Sequence, residues 1–77
     1  MTGNEIRTLH QTRMARLLTI RALAAQAGVS PHMVHQVERG ARPPRFATIR
    51  RLSDVLGVEP TQVAEFRAVL FDEEGER

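Results

Sequence analysis

A chain of 77 residues has room for one small domain with a thin core. With no cysteine, it has no disulfide framework, no thiolate nucleophile and no cysteine zinc site. Its eleven basic residues are all arginine and unevenly opposed: residues 1–71 carry ten arginines against five acids, a net +5, while Asp72, Glu73, Glu74 and Glu76 crowd the last stretch.

Apolar residues recur at helical spacing and no segment alternates like a strand, so the expected fold is all-α with five helices. The first helix is predicted over about residues 4–17, with Asn4 as N-cap and Ile6, Leu9 and Leu17 on one face. The second runs from position 19 or 20 to 27, capped by Thr19 and ended by Gly28. The third begins at Ser30-Pro31, an N-cap followed by proline at the first helical position, and continues to about Arg39 before Gly40 stops it. The prolines of Gly40-Ala41-Arg42-Pro43-Pro44 exclude helix there. The fourth helix spans about 46–56, with Phe46, Ile49, Leu52 and Leu56 spaced for the core and Gly57 at its end. Pro60 opens the fifth, which carries Val63, Phe66 and Leu70. One domain over residues 1–71 and an acidic segment over 72–77, expected to be disordered, account for the chain.

The stretch IRALAAQAGVSPHMVHQVER, residues 20–39, reads as helix, three-residue turn, helix. Two helices cross closely at a steep angle only where certain positions are small or apolar. Ala24 is small where the third helix must approach, and Gly28 fills the turn position that needs a positive φ. Leu23, Ala27, Val29, Val34 and Val37 supply the inward apolar positions. In this pattern the chain resembles the lambda-repressor and Cro-like helix-turn-helix family, also called the XRE family. The resemblance extends from about Ile6 to Phe66 through three blocks in order: LTIRALAAQAGVS, VHQVERGARPP and FATIRRLSDVLGV. It implies a compact five-helix DNA-binding domain, with helices 2 and 3 forming the helix-turn-helix. It also implies a pairing of Arg13 on the first helix with Glu38 near the end of the third, which are otherwise two solvated surface charges.

In such a domain the third helix, over about 30–39, lies in the major groove with its N-terminal part against the base edges. The resemblance puts Pro31, His32, His35 and Gln36 at the base-contact positions, with Met33 at the margin. A glutamine amide can pair bidentately with adenine, an imidazole can donate to guanine, and a proline ring can pack on a thymine methyl. Phosphate contacts are expected from Arg39, Arg42 and Arg45 beyond the helix, and from Thr19, Arg21 and Ser30 at helix starts. The N-termini of the second and fourth helices add backbone N–H groups. The family often has glutamine at the start of the second helix, where Ile20 stands here. Arg21 or the backbone must then make that phosphate contact, or affinity is lower.

On the fifth helix, Ala64, Ala68 and Phe71 form a stripe beside the core positions, a candidate contact for a symmetric homodimer. A dimer would set two recognition helices about 34 Å apart on double-stranded operator DNA. The expectation is a regulator that represses by occluding promoter DNA, such as a phage Cro-like or mobile-element protein, acting in the cytoplasm. No signal peptide, membrane span, cofactor, metal or small-molecule ligand is expected. The alternative is an antitoxin-type module whose main partner is a protein. A metal-binding or catalytic use of His10, His32 and His35 is the third reading. It lacks an accompanying carboxylate motif, and no enzyme activity is expected.

Overall fold

In the computed structural model, which describes residues 5–71, the elements are α1 (Leu9–Ala15), α2 (Ile20–Ala27), α3 (Pro31–Glu38), α4 (Phe46–Leu56), a 3₁₀ turn (Pro60–Gln62) and α5 (Ala64–Leu70). The expected cap at Asn4 and the acidic segment 72–77 lie outside the described residues.

α1 starts later than its apolar spacing suggests, because Thr8 and Gln11 form a capping box. The Thr8 hydroxyl accepts from the Gln11 N–H and the Gln11 side chain accepts from the Thr8 N–H, both at 3.0 Å. Just before it, Arg7 pairs in extended form with Val63: its N–H donates to the Gln62 carbonyl at 3.0 Å and its carbonyl accepts from Ala64 N–H at 2.8 Å. Ile6 therefore sits outside the helix and is 47% exposed, not on the core face. α1 ends after two turns, where Leu17 takes a left-handed conformation at φ 57°. The Leu17 and Leu18 N–H groups then bond back to the Met14 and Arg13 carbonyls, the pattern glycine usually closes. This turn sends the Leu17 side chain into solvent, against the expectation that it faces the core.

α2 and α3 follow their predicted caps. Thr19 and Ser30 accept from the Ala22 and Met33 N–H groups at 3.0 Å, and Gly28 makes the turn at φ 74°. Ala24 has no exposed surface, as close approach of the two helices requires. α2 packs on α3 and α4, and the largest fully buried side chains, among them Leu23, Val34, Val37, Leu52, Leu56 and Phe66, fill the space between the helices. Val29 is half-buried against this core. Phe46 does not join it: the inward stripe of α4 begins at Thr48 and Ile49, and Phe46, at the open first turn, is 67% exposed.

The fifth helix is split. Pro60 opens a 3₁₀ turn, Val63 breaks it in extended conformation, and α5 runs only from Ala64 to Leu70. The break lets Val63 and Phe66 both point inward, while Leu70 is half-buried. Two side chains tie helix ends across the domain. Glu65 accepts from the Leu9 N–H at 2.7 Å, and the Arg16 guanidinium donates twice to the Leu56 carbonyl at the end of α4. No helix among the described residues is long and apolar enough to cross a membrane.

Candidate nucleic-acid interface

The α3 helix has two faces set by its sequence period. Val34 and Val37 are buried. Pro31, His32, His35 and Arg39 are exposed and Gln36 is half-buried on the opposite face, with Met33 half-buried at its edge. Residues 32, 35, 36 and 39 recur at i, i+3, i+4 and i+7, so they form one continuous stripe. Neither imidazole nor the Gln36 amide has a hydrogen-bond partner among the described residues. Hydrogen-bonding groups on a rigid helix, aimed away from the core and unused by the fold, are available to a ligand.

The orientation of that stripe is fixed from the other side. Arg13 on α1 is 7% exposed, and its Nε and Nη2 donate to the two carboxylate oxygens of Glu38 at 2.6 and 3.1 Å. The third nitrogen, Nη1, donates to the Leu18 carbonyl at 2.9 Å, and His10 Nδ1 lies 3.0 Å from Nη2. One guanidinium thus joins α1, the turn into α2, and α3. The hydrogen bonds to Glu38 hold the Arg13 pKa above its ordinary value, with the carboxylate charge adding to them and burial opposing.

The remaining arginines divide into two sets. Arg7 pairs with Glu5, Arg16 caps α4, Arg51 reaches the Gly28 carbonyl, and Arg67 reaches the Thr61 carbonyl and stacks 4.9 Å from the Phe71 ring centre. Arg21, Arg39, Arg42, Arg45 and Arg50 are exposed and make no ion pair or hydrogen bond with any described residue. Four of these five are the arginines the sequence assigns to phosphate. Arg50 is the fifth, one turn after Phe46 on the outer face of α4, where its charge and position alone gave a signal. Thr19 and Ser30 use an oxygen lone pair in capping and keep a hydroxyl hydrogen to donate. α4, unlike α1, α2 and α3, has no side-chain cap, which leaves its first N–H groups open beside Arg45.

A family model described as a helix-turn-helix domain matches residues 7–66. The chain belongs to that family. The matched span runs from the extended segment before α1 into α5, and it coincides with the reach of the Cro-like resemblance. No curated protein and no solved structure matches the chain. Membership makes this helix-turn-helix protein a DNA-binding regulator in kind, with α2 and α3 as its motif.

The other sequence candidates are placed as follows. Ala64 is half-buried, Ala68 is exposed and Phe71 is 55% exposed, so the stripe on α5 has an accessible apolar end. His10 sits with Arg13 and Glu38. No group of three His, Cys, Asp or Glu among the described residues is placed to hold a metal ion.

Proposed function

We propose that the protein is a sequence-specific double-stranded DNA-binding repressor that acts by occluding promoter DNA. The observation that carries this reading is the stripe of α3 side chains, flanked by arginines, that have no partner among the described residues. Pro31, His32, His35 and Gln36 read base edges in the major groove, and Arg39 follows on the same stripe. Arg21, Arg42 and Arg45, with the hydroxyls of Thr19 and Ser30 and the open start of α4, hold the flanking phosphates. Arg21 and the free N–H groups at the start of α2 take over the contact that Ile20 cannot make.

The repressor binds as a homodimer through Ala64, Ala68 and Phe71, which places two copies of α3 on an inverted repeat with half-sites one turn apart. Selection of random duplex DNA on the purified protein at near-physiological salt tests both parts. An inverted repeat with that spacing is the expected result. A single short motif would remove the dimer and keep the reader; no enrichment would overturn sequence-specific binding in favour of a protein partner.

Arg42→Ala is expected to weaken binding to all sequences alike and to flatten the dependence of log K on log salt by about one unit. Titrations of one operator and one scrambled duplex at several salt concentrations read this directly. A loss confined to the operator would reassign Arg42 to base reading.

A further inference from the structure

A groove runs between the loop that leaves α3 and the outer side of α5. Val37, Pro43, Pro44, Ala68 and Val69 line it with apolar groups, and Arg42 lines it too. Glu65 also lines it, but that carboxylate accepts from the Leu9 N–H at the start of α1 and is committed there. The other described acids near α1 and α3 are likewise engaged: Glu38 with Arg13, and Glu5 with Arg7. Arg42 is thus a cation without a described partner, beside an apolar channel that nothing described fills.

The α5 residues that line the groove are 65, 68 and 69. They lie on one face of α5, which ends at Leu70 and is capped by Phe71. There the acidic segment begins: Asp72, Glu73, Glu74 and Glu76 follow directly on Phe71. Five residues reach at most about 17 Å when extended, and the segment starts three residues from Val69, which shares the groove with Arg42. A tether that short gives an effective concentration in the millimolar range, enough to populate a weak contact that salt would abolish between separate molecules.

We propose that residues 72–76 dock at this groove against Arg42, where they compete with DNA phosphate and hold down non-specific binding. The competition rests on the DNA reading above; the docking does not. Every duplex must displace the segment to reach Arg42, so operator and scrambled DNA are opposed by it alike. The segment thereby lowers affinity for operator and bulk DNA by the same factor and leaves their ratio unchanged.

The test uses the full chain and the variant Asp72→Asn/Glu73→Gln/Glu74→Gln/Glu76→Gln, each with Arg42 and with Arg42→Ala. Neutralising the segment is expected to tighten binding to a scrambled duplex about three- to tenfold at low salt, with a salt slope steeper by about one unit. In the Arg42→Ala background most of that gain should vanish. An equal gain in both backgrounds would mean that net charge alone acts, and would overturn the docking; so would no gain at all. Without DNA, neutralisation should shift the amide resonance of Gly40, which lines the groove away from α5 and outside the proposed dimer contact, independently of protein concentration. An unchanged resonance overturns the proposal. A shift that grows with concentration puts a second copy in the groove instead and also overturns it. An amide shift without any selected DNA motif would leave the docking standing while the sequence-specific reading fails, so the two failures are distinguishable.

Discussion

Glu38→Ala is expected to destabilise the protein by about 3–5 kcal/mol, the usual cost of removing one partner from a buried ion pair. The side chains of Arg13 and Glu38 are 8% and 9% exposed, so solvent screens little of the charge that would be left behind. Without the carboxylate, Arg13 keeps the Leu18 carbonyl, His10 Nδ1 and the Met14 sulfur within reach among the described residues, none of them charged like a carboxylate. A domain this small has a total stability of about 5–10 kcal/mol, so the variant should lose about a third or more of it. Urea or thermal unfolding followed by circular dichroism reads the loss. Glu38→Gln should lose less, because an amide oxygen still accepts from the guanidinium. Arg13→Met with Glu38→Leu should recover most of the stability, since neither charge then remains buried. A loss under about 1 kcal/mol for Glu38→Ala would mean that the pair behaves as a screened surface bridge.

The pH dependence of this pair follows from the direction of the Arg13 shift. The group's pKa is raised in the folded state, so its contribution is complete below the ordinary arginine range. It is lost only as pH climbs through the raised value. Across neutral pH the Arg13 contribution is constant, and any change in stability there must come from other groups. What the pair supplies to function is orientation: it holds α3 against α1, with the stripe of residues 32, 35, 36 and 39 turned outward.

The parts of this arrangement that were legible in the sequence are those set by local chemistry. Thr19, Ser30-Pro31 and Gly28 mark helix ends through backbone conformation and short hydrogen bonds, and α2 and α3 begin and end where these residues stand. The capping box of Thr8 and Gln11 was equally local and was overshadowed by the apolar spacing of Ile6, Leu9 and Leu17. Leu17 in a left-handed conformation was not legible, because nothing in leucine favours that state; the two backbone bonds to Met14 and Arg13 hold it there. The break at Val63 depends on Arg7, 56 positions away, and the Arg16 cap on α4 spans 40. Such contacts leave no periodic trace. Among the candidate DNA contacts, charge told which residues are basic but not which are free. Arg13, Arg16 and Arg51 resemble Arg39, Arg42 and Arg45 in sequence, and only their partners separate a structural guanidinium from an available one.

Gln36→Ala is expected to lower discrimination at one or two base pairs by about 1–3 kcal/mol each, roughly five- to 150-fold in relative affinity. The amide has no partner among the described residues, so the fold should lose little on its removal and the effect should appear in DNA binding alone. Binding to scrambled duplex, which the arginines supply, should be unchanged, and so should the salt slope. The two sides of the interface are then separable: Arg42→Ala moves affinity for every sequence, and Gln36→Ala moves the choice among sequences. Gln36→Glu sharpens the test, because a carboxylate only accepts. It should turn preference from adenine toward the cytosine amino group at the same position and weaken binding overall through repulsion from nearby phosphates. Random-duplex selections run in parallel on the parent and both variants would show these changes at one fixed position of the motif. An unchanged motif in Gln36→Ala would mean that this face of α3 does not read bases at its centre, and the docking of the helix in the major groove would have to be redrawn around His32 and Arg39.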